Sequence, residues 1–313
     1  MKIGIYGGTF DPPHLGHMEA AKAALDQLGL DRLLIIPDRE PPHKDLAAEA
    51  ARRALKAAGV DARELDIIIL GTSSPDNNYP SDACSVQAMI GAENAVAFDI
   101  SAACAGFIFA MNIVHGFFQA GIYKTALIIG AETLSKVTDW TDRGTCVLFG
   151  DGAGAAVLKA EETGVVDMLM GSDGTKGPIL SCTSRTLGNF LTGTRPELGL
   201  MTMDGQEVFR FAVKKVPESI EILLERNHIS REEIKYYVLH QANERIVEAA
   251  ARRLKESMEK FPMTISKYGN TSSASIPLLL NDMAEKNMLQ PGDKIILSGF
   301  GAGMTWGAVL MEW

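Results

Sequence analysis

The sequence has no apolar run long enough to cross a bilayer, and its opening, MKIGIYGGTF, lacks the basic start and continuous apolar stretch of a secretory signal. A cytoplasmic location is the expectation. Basic charge is in short supply: 30 Lys and Arg stand against 39 Asp and Glu, a formal charge of -9. That balance argues against nucleic acid or an anionic membrane as the main partner, and an acidic partner needs a local basic patch. Cysteine is scarce and scattered. Cys84, Cys104, Cys146 and Cys182 form no Cys-x-x-Cys pair, so reduced thiols are expected rather than a zinc site or a disulfide framework. What remains is an ordinary globular composition, 46% hydrophobic and 22% charged, over 313 residues. That length suits two cores or one duplicated architecture.

Residues Lys2 to Tyr6 read as a strand, followed by GGTFDPPHLGH, a helix from about Met18 to Leu28, and a second strand from Leu33 to Ile36 that ends in PDREPPHK. Gly7 and Gly8 let backbone approach a ligand, and His14 and His17 stand at a helix N-terminus, where phosphate is favoured. The character changes at Asp45. Asp45 is placed to cap DLAAEAARRALKAAG, which Gly59 ends, and LDIIIL from Leu65 to Leu70 suits a strand covered on both faces.

The plan then repeats. HISREEIKYYVLH, His228 to His240, tracks GVDARELDIIILG, Gly59 to Gly71, without a gap, and LFGDGAGAAVL is echoed by LSGFGAGMTWGAVL near the C-terminus. Two echoes in the same order indicate a duplicated α/β unit with mainly parallel sheets. The expected divisions are 1–44, 45–160, a linker and insert over 161–205, and 206–313.

In FDISAACAGFIFA a strand runs through a small-residue turn into an apolar helix that Cys104 opens. A thiol there faces the positive helix end, so a thiolate well below the free-cysteine range is expected. The plainer reading is a small buried hydrophobe. His240, in VLHQANER, and Asn270, in KYGNTSSAS, also fall at strand ends. Singly they read as a core histidine and a turn residue. Together with Cys104 they supply what thioester chemistry needs, a nucleophile and donors for the oxyanion.

AACAGF, DRGTCVLFGDGAGAA, HQANERI, YGNTSSAS and GFGAGMTWG together resemble the β-ketoacyl-acyl-carrier-protein synthase III family over 45–313. Asn270 in GNTS separates this type from elongating synthases, which use two histidines. The resemblance implies a thiolase-like fold, a duplicated α/β unit layered α-β-α-β-α. It implies decarboxylative condensation that starts fatty acid synthesis: Cys104 takes the acyl group from acyl-CoA, while His240 and Asn270 hold the thioester oxygen of malonyl-acyl-carrier protein. The backbone N–H groups of Cys104 and Gly303 would form the oxyanion hole. Arg143, Gly205, Phe209, Ala242 and Asn243 match positions along the pantetheine and nucleotide tunnel. Arg210, Arg245, Arg252 and Arg253 make a local basic face suited to an acidic carrier protein, with a solvated helix surface as the plainer reading. Tyr79 matches the residue that closes the acyl pocket across a homodimer interface. No cofactor or metal is implied beyond the CoA thioester.

The first 44 residues instead resemble nicotinate-nucleotide adenylyltransferases of the HxGH superfamily, through Gly8, Thr9, His14, His17 and PPHK. The Ser/Thr-rich signature ending in Arg that such enzymes need is missing, since Ser181 to Arg185 has the wrong spacing, so these residues read as a vestigial nucleotide site. The synthase family's own N-terminal segment, with the Trp and Arg that sandwich the adenine of CoA, is absent. The chain reads as a composite joined near Lys44 and Asp45, with MKIGIY standing in for a lost first strand and with weakened CoA binding. The alternatives are a catalytically impaired synthase-fold module and, behind it, an adenylyltransferase.

Overall fold

The computed structural model describes residues 3–8, 32–37, 43–184, 188, 191–195, 197 and 199–313. Thr9, His14, His17, Arg185 and the helix expected over 18–28 lie outside them. In chain order the elements are β1 (Ile3–Gly8), β2 (Arg32–Pro37), α1 (His43–Ala58), β3 (Ile67–Gly71), α2 (Asp82–Ile90), β4 (Val96–Ile100), α3 (Gly106–Gln119), β5 (Thr125–Glu132) and β6 (Gly152–Lys159). They continue with β7 (Val165–Ser172), β8 (Leu180–Cys182), β9 (Met201–Met203), α4 (Gly205–Asn227), β10 (Ile234–Leu239), α5 (Glu244–Leu254), α6 (Ile265–Tyr268), α7 (Ser275–Glu285), β11 (Lys294–Gly301) and β12 (Thr305–Glu312).

Two four-stranded sheets, ordered β4-β3-β5-β6 and β10-β11-β12-β7, carry the fold. The echoes found in the sequence are visible as matched pairings. β3 runs parallel to β5 and β5 antiparallel to β6, just as β10 runs parallel to β11 and β11 antiparallel to β12. Even the turns that launch β3 and β10 agree, each closed by a capping box, Asp61 with Glu64 and Ser230 with Glu233.

Strand alternation sorts the layers. Ile68 and Leu70 of β3 and Leu127 and Ile129 of β5 pack on α1 and α2, while Ile67, Ile69, Ala126 and Ile128 turn to the opposite face. There they meet α3 and α7, which are covered on their other side by Val238, Ile295, Leu297 and Val309 of the second sheet. The outer face of that sheet, with Ile296 and Leu310, is closed by α4 and α5. The result is the five-layer α-β-α-β-α arrangement. Each fully buried Ile or Leu in these sheets contributes about 1.5–3 kcal/mol.

Four expectations need correction. β1 pairs with β2 alone, in a parallel two-stranded sheet of its own, so among the described residues MKIGIY replaces no strand of either large sheet. A strand–crossover–strand unit satisfies its inner hydrogen bonds within the segment. The helix expected from Asp45 begins at His43, and its cap comes from afar: the Asp76 carboxylate accepts the backbone N–H groups of His43 and Lys44, both at 3.1 Å. His43 is fully buried, so the synthase-like body reaches back into PPHK. Finally, the stretch read as a linker supplies β7, which pairs antiparallel with β12 and completes the second sheet.

Candidate active site

The turn after β4 is tight enough to put Ala103 at φ 47, a left-handed value seldom taken by a residue with a Cβ. Cys104 lies in this single 3-10 turn, and α3 starts only at Gly106, so the thiol precedes the helix rather than opening it. Gly301, at the end of β11, makes the close approach possible. A Cβ there would stand 2.5 Å from the Cys104 nitrogen. Gly299, two residues earlier, spans the gap to the histidine, its Cβ position lying 3.6 Å from both the Cys104 carbonyl oxygen and the His240 Cβ.

His240 follows β10, with its backbone N–H donated to the Ser298 carbonyl at 2.8 Å. Nδ1 lies 2.6 Å from the Ser275 hydroxyl, at the first turn of α7, while Nε2 is buried with no partner among the described residues. A buried ring nitrogen left unpaired is a cost that a ligand would remove. Burial pushes the His240 pKa down to about 3, which keeps the ring neutral at physiological pH. Asn270 is tied at both backbone ends, its N–H to the Leu148 carbonyl at 2.9 Å and its carbonyl to the Gly150 N–H at 3.0 Å. Its Oδ1 accepts the Ser272 N–H at 2.9 Å, which leaves the side-chain NH₂ group for a ligand.

Cys104, His240 and Asn270 line one cavity of about 190 Å³, together with Phe149, Phe300 and Ile246. Gly144, Gly205 and Phe209 also line it and are exposed, so it reaches the surface. The thiol is not sealed in.

One electrostatic expectation is overturned. Burial pushes the Cys104 thiol up to about 12, helped by the nearby Glu132 carboxylate and only partly opposed by the Ser272 hydroxyl and the residue's own N–H. Water is too scarce at the sulfur for one short turn to offset the lost hydration. The resting group is a thiol. Alkylation of Cys104 by iodoacetamide is therefore expected to keep rising with pH through pH 9, measured by peptide mass spectrometry. A plateau below pH 8 would show a depressed pKa.

Comparison with known proteins bears on this geometry directly. Sequence profiles for 3-oxoacyl-(acyl-carrier-protein) synthase III match residues 98–174 and, for its C-terminal part, 224–313. The chain is 47% identical over 274 residues to β-ketoacyl-(acyl-carrier-protein) synthase III of Clostridium acetobutylicum, covering 86% of this chain and 83% of that one. It belongs to the β-ketoacyl-acyl-carrier-protein synthase III family. The Clostridium novyi relative is 49% identical over 270 residues, with the same coverage. Among solved structures, the synthase III of Aquifex aeolicus superposes with a TM-score of 0.81 at 40% identity, covering 88% of this chain and 86% of that chain. A cytidylyltransferase-like profile matches residues 5–76. The composite nature of the chain is thus apparent from both sides of the junction, and the two similarities overlap across α1 and β3.

The family's other positions fall unevenly. Gly205, Phe209, Ala242 and Asn243 line the cavity, whereas Arg143 is exposed beside the lining residue Gly144. Of the two glycines in the 301–303 turn, Gly301 is the one against the Cys104 backbone; a Cβ at Gly303 would meet only Thr305. The basic face is largely compensated: Arg210 pairs with Glu207, Arg252 with Glu248 and Arg253 with Glu218, leaving Arg245 without an ion pair among the described residues. Tyr79 is 86% exposed and outside the cavity. Gly8 ends β1, in the separate sheet. Sequence reasoning missed Gly301, Phe300, Ser272 and Ser275; their signal was present in GFGAG and NTSSAS, where small residues recur around the two chemical groups.

No helix among the described residues is long and apolar enough to cross a membrane.

Proposed function

We propose that this chain condenses an acyl-CoA primer with malonyl-acyl-carrier protein, releasing carbon dioxide and starting fatty acid synthesis in the cytoplasm. One observation carries the reading: a single surface-connected cavity holds a thiol, a neutral imidazole with an unpartnered Nε2 and an amide whose oxygen is already bonded. In the first half-reaction the Cys104 sulfur bonds to the acyl carbon as the S–H bond breaks, the acyl–CoA bond breaks, and CoA leaves as a thiolate that takes up the proton the Cys104 thiol gave up. The Cys104 N–H and a backbone N–H of the 301–303 turn would supply the oxyanion donors; the expectation named Gly303, while Gly301 is the glycine that packs on the Cys104 backbone. In the second, the malonyl carboxylate departs as carbon dioxide and its electron pair moves into the thioester carbonyl. His240 Nε2–H and the Asn270 NH₂ group stabilise the resulting enolate oxygen, with the Ser275 hydroxyl donating to Nδ1 to hold that tautomer. The enolate carbon then attacks the acyl-Cys104 carbonyl, and the thiol is regenerated. The reading assigns no cofactor.

Two further parts belong to the proposal. Among the described residues the outer edge of β4 is unpaired, and Val96 is 49% exposed, so a second copy adding its own β4 would cover an edge otherwise open to aggregation and bring in a Tyr79 from across the interface. The homodimer is tested by sedimentation equilibrium. Arg245, with its neighbouring arginines, would meet the acidic carrier protein. CoA binding is expected to suffer, because the replaced N-terminal segment carries no Trp and Arg pair to enclose adenine. Loss of one base-stacking site predicts a Michaelis constant for acetyl-CoA about tenfold above that of the Clostridium acetobutylicum relative. Equal constants, measured in parallel, would refute the defect. The function itself is tested by mass analysis of products from acetyl-CoA and malonyl-acyl-carrier protein; absence of the β-ketoacyl product with a folded protein favours the impaired module.

A further inference from the structure

Behind the cavity lies a buried polar network that the condensation steps do not use. Glu132, the last residue of β5, is completely buried. Its Oε2 accepts the hydroxyl of Ser74 at 2.6 Å, the N–H of Ser73 at 3.0 Å and the hydroxyl of Thr72 at 3.3 Å. Its Oε1 accepts the hydroxyl of Ser272 at 3.0 Å and shares that of Ser273, at 3.2 Å, with the Gly71 carbonyl at 2.8 Å. Burial pushes the Glu132 pKa up, and the donors that converge on both oxygens, with His43 nearby, oppose that rise and favour the carboxylate.

Countercharge is at hand. Buried His43 sets Nδ1 2.7 Å from Asp82 and Nε2 3.0 Å from the Thr72 oxygen, and the single Thr72 hydroxyl hydrogen points on to Glu132. Burial works against a charge on His43, but the facing Asp82 carboxylate, a backbone hydrogen bond at Ala131 and the nearby Glu132 carboxylate raise its pKa, which favours the protonated ring.

The two serines that Glu132 grips belong to the turn that carries Asn270. Ser272 has φ 50, a left-handed conformation that a serine holds only under constraint, and its N–H fixes the Asn270 Oδ1. Gly130, on the same strand, admits the turn: a Cβ there would lie 2.2 Å from the Ser273 carbonyl oxygen. The geometry points to Glu132 as a positioning residue for decarboxylation: its carboxylate, paired through Thr72 with His43, clamps Ser272 and Ser273 so that the Asn270 amide is aimed at the malonyl thioester. This deepens the proposed function and rests on it.

The test separates the half-reactions in the intact chain. Acyl transfer from acetyl-CoA to Cys104 is followed by protein mass, and decarboxylation by carbon dioxide release from malonyl-acyl-carrier protein. Glu132→Gln keeps the shape but replaces one acceptor oxygen by a donor. It is expected to slow decarboxylation about 100-fold, the scale of a displaced catalytic group, while acyl transfer is not slowed, because losing the carboxylate removes one of the effects that raise the Cys104 pKa. Because Glu132 acts through Asn270, the double variant Glu132→Gln/Asn270→Ala should be no slower than Asn270→Ala alone. Ser272→Ala, which leaves the buried charge intact, should give a smaller loss of the same selectivity and serves if Glu132→Gln does not fold. Equal losses in both half-reactions, or losses that multiply in the double variant, would overturn the clamp. An unsubstituted chain inactive in both half-reactions would instead overturn the proposed function on which it rests.

Discussion

Cys104→Ser is expected to lower condensation by at least about 1,000-fold, because the hydroxyl of serine is a far weaker nucleophile than the thiol and nothing in the cavity is placed to ionise it. His240 is too weak a base, with a pKa near 3, and its Nδ1 is occupied by Ser275. The substitution removes little volume from a site that is 8% exposed, so the melting temperature should stay within a few degrees. Steady-state assay with acetyl-CoA and malonyl-acyl-carrier protein, alongside thermal unfolding, checks both halves of the statement. Retention of a tenth of the activity would place the nucleophile elsewhere.

The second large effect divides the reaction. His240→Ala and Asn270→Ala each remove one donor from the oxygen on which enolate charge develops, and loss of such a donor costs about 10²–10³ in rate. The loss should appear in carbon dioxide release from malonyl-acyl-carrier protein and spare formation of the acyl-Cys104 species, since neither group is asked to activate the sulfur. Rapid-quench measurement of the two half-reactions reads the distinction. If His240→Ala abolished acyl transfer instead, the imidazole would be the thiol's base and the neutral-donor assignment would fail.

The parts of this architecture legible beforehand were those written in local pattern. The stretch Leu65 to Leu70, apolar at every residue after Asp66, foretold a strand buried on both faces, and the gapless echo between Gly59–Gly71 and His228–His240 foretold the matched sheets. Cys104 and His240 were legible because each follows a strand, and strand ends gather at one edge of a sheet; Asn270, expected at a strand end, instead follows the short helix α6 and was legible through YGNTSSAS. The thiol's ionisation was not legible, because burial is a property of the whole fold: the sulfur sits between β11 and the Asn270 turn, which come from the far end of the chain. Nor was the helix start at His43, whose cap, Asp76, comes from a distant loop. The fate of MKIGIY depended on a choice of partner strand that its own residues do not encode. Glu132 looked like an ordinary strand end, since the serines that surround it arrive from two separate segments, 73–74 and 272–273.

The most direct measurement follows one covalent adduct through a full turnover. Folded protein is incubated with acetyl-CoA and mapped by peptide mass spectrometry, then chased with malonyl-acyl-carrier protein. An acetyl group should appear on Cys104 and on no other cysteine, and should leave during the chase as the β-ketoacyl-carrier protein product forms. An adduct on another residue, or an acetyl-Cys104 that survives the chase while product accumulates, would contradict the account.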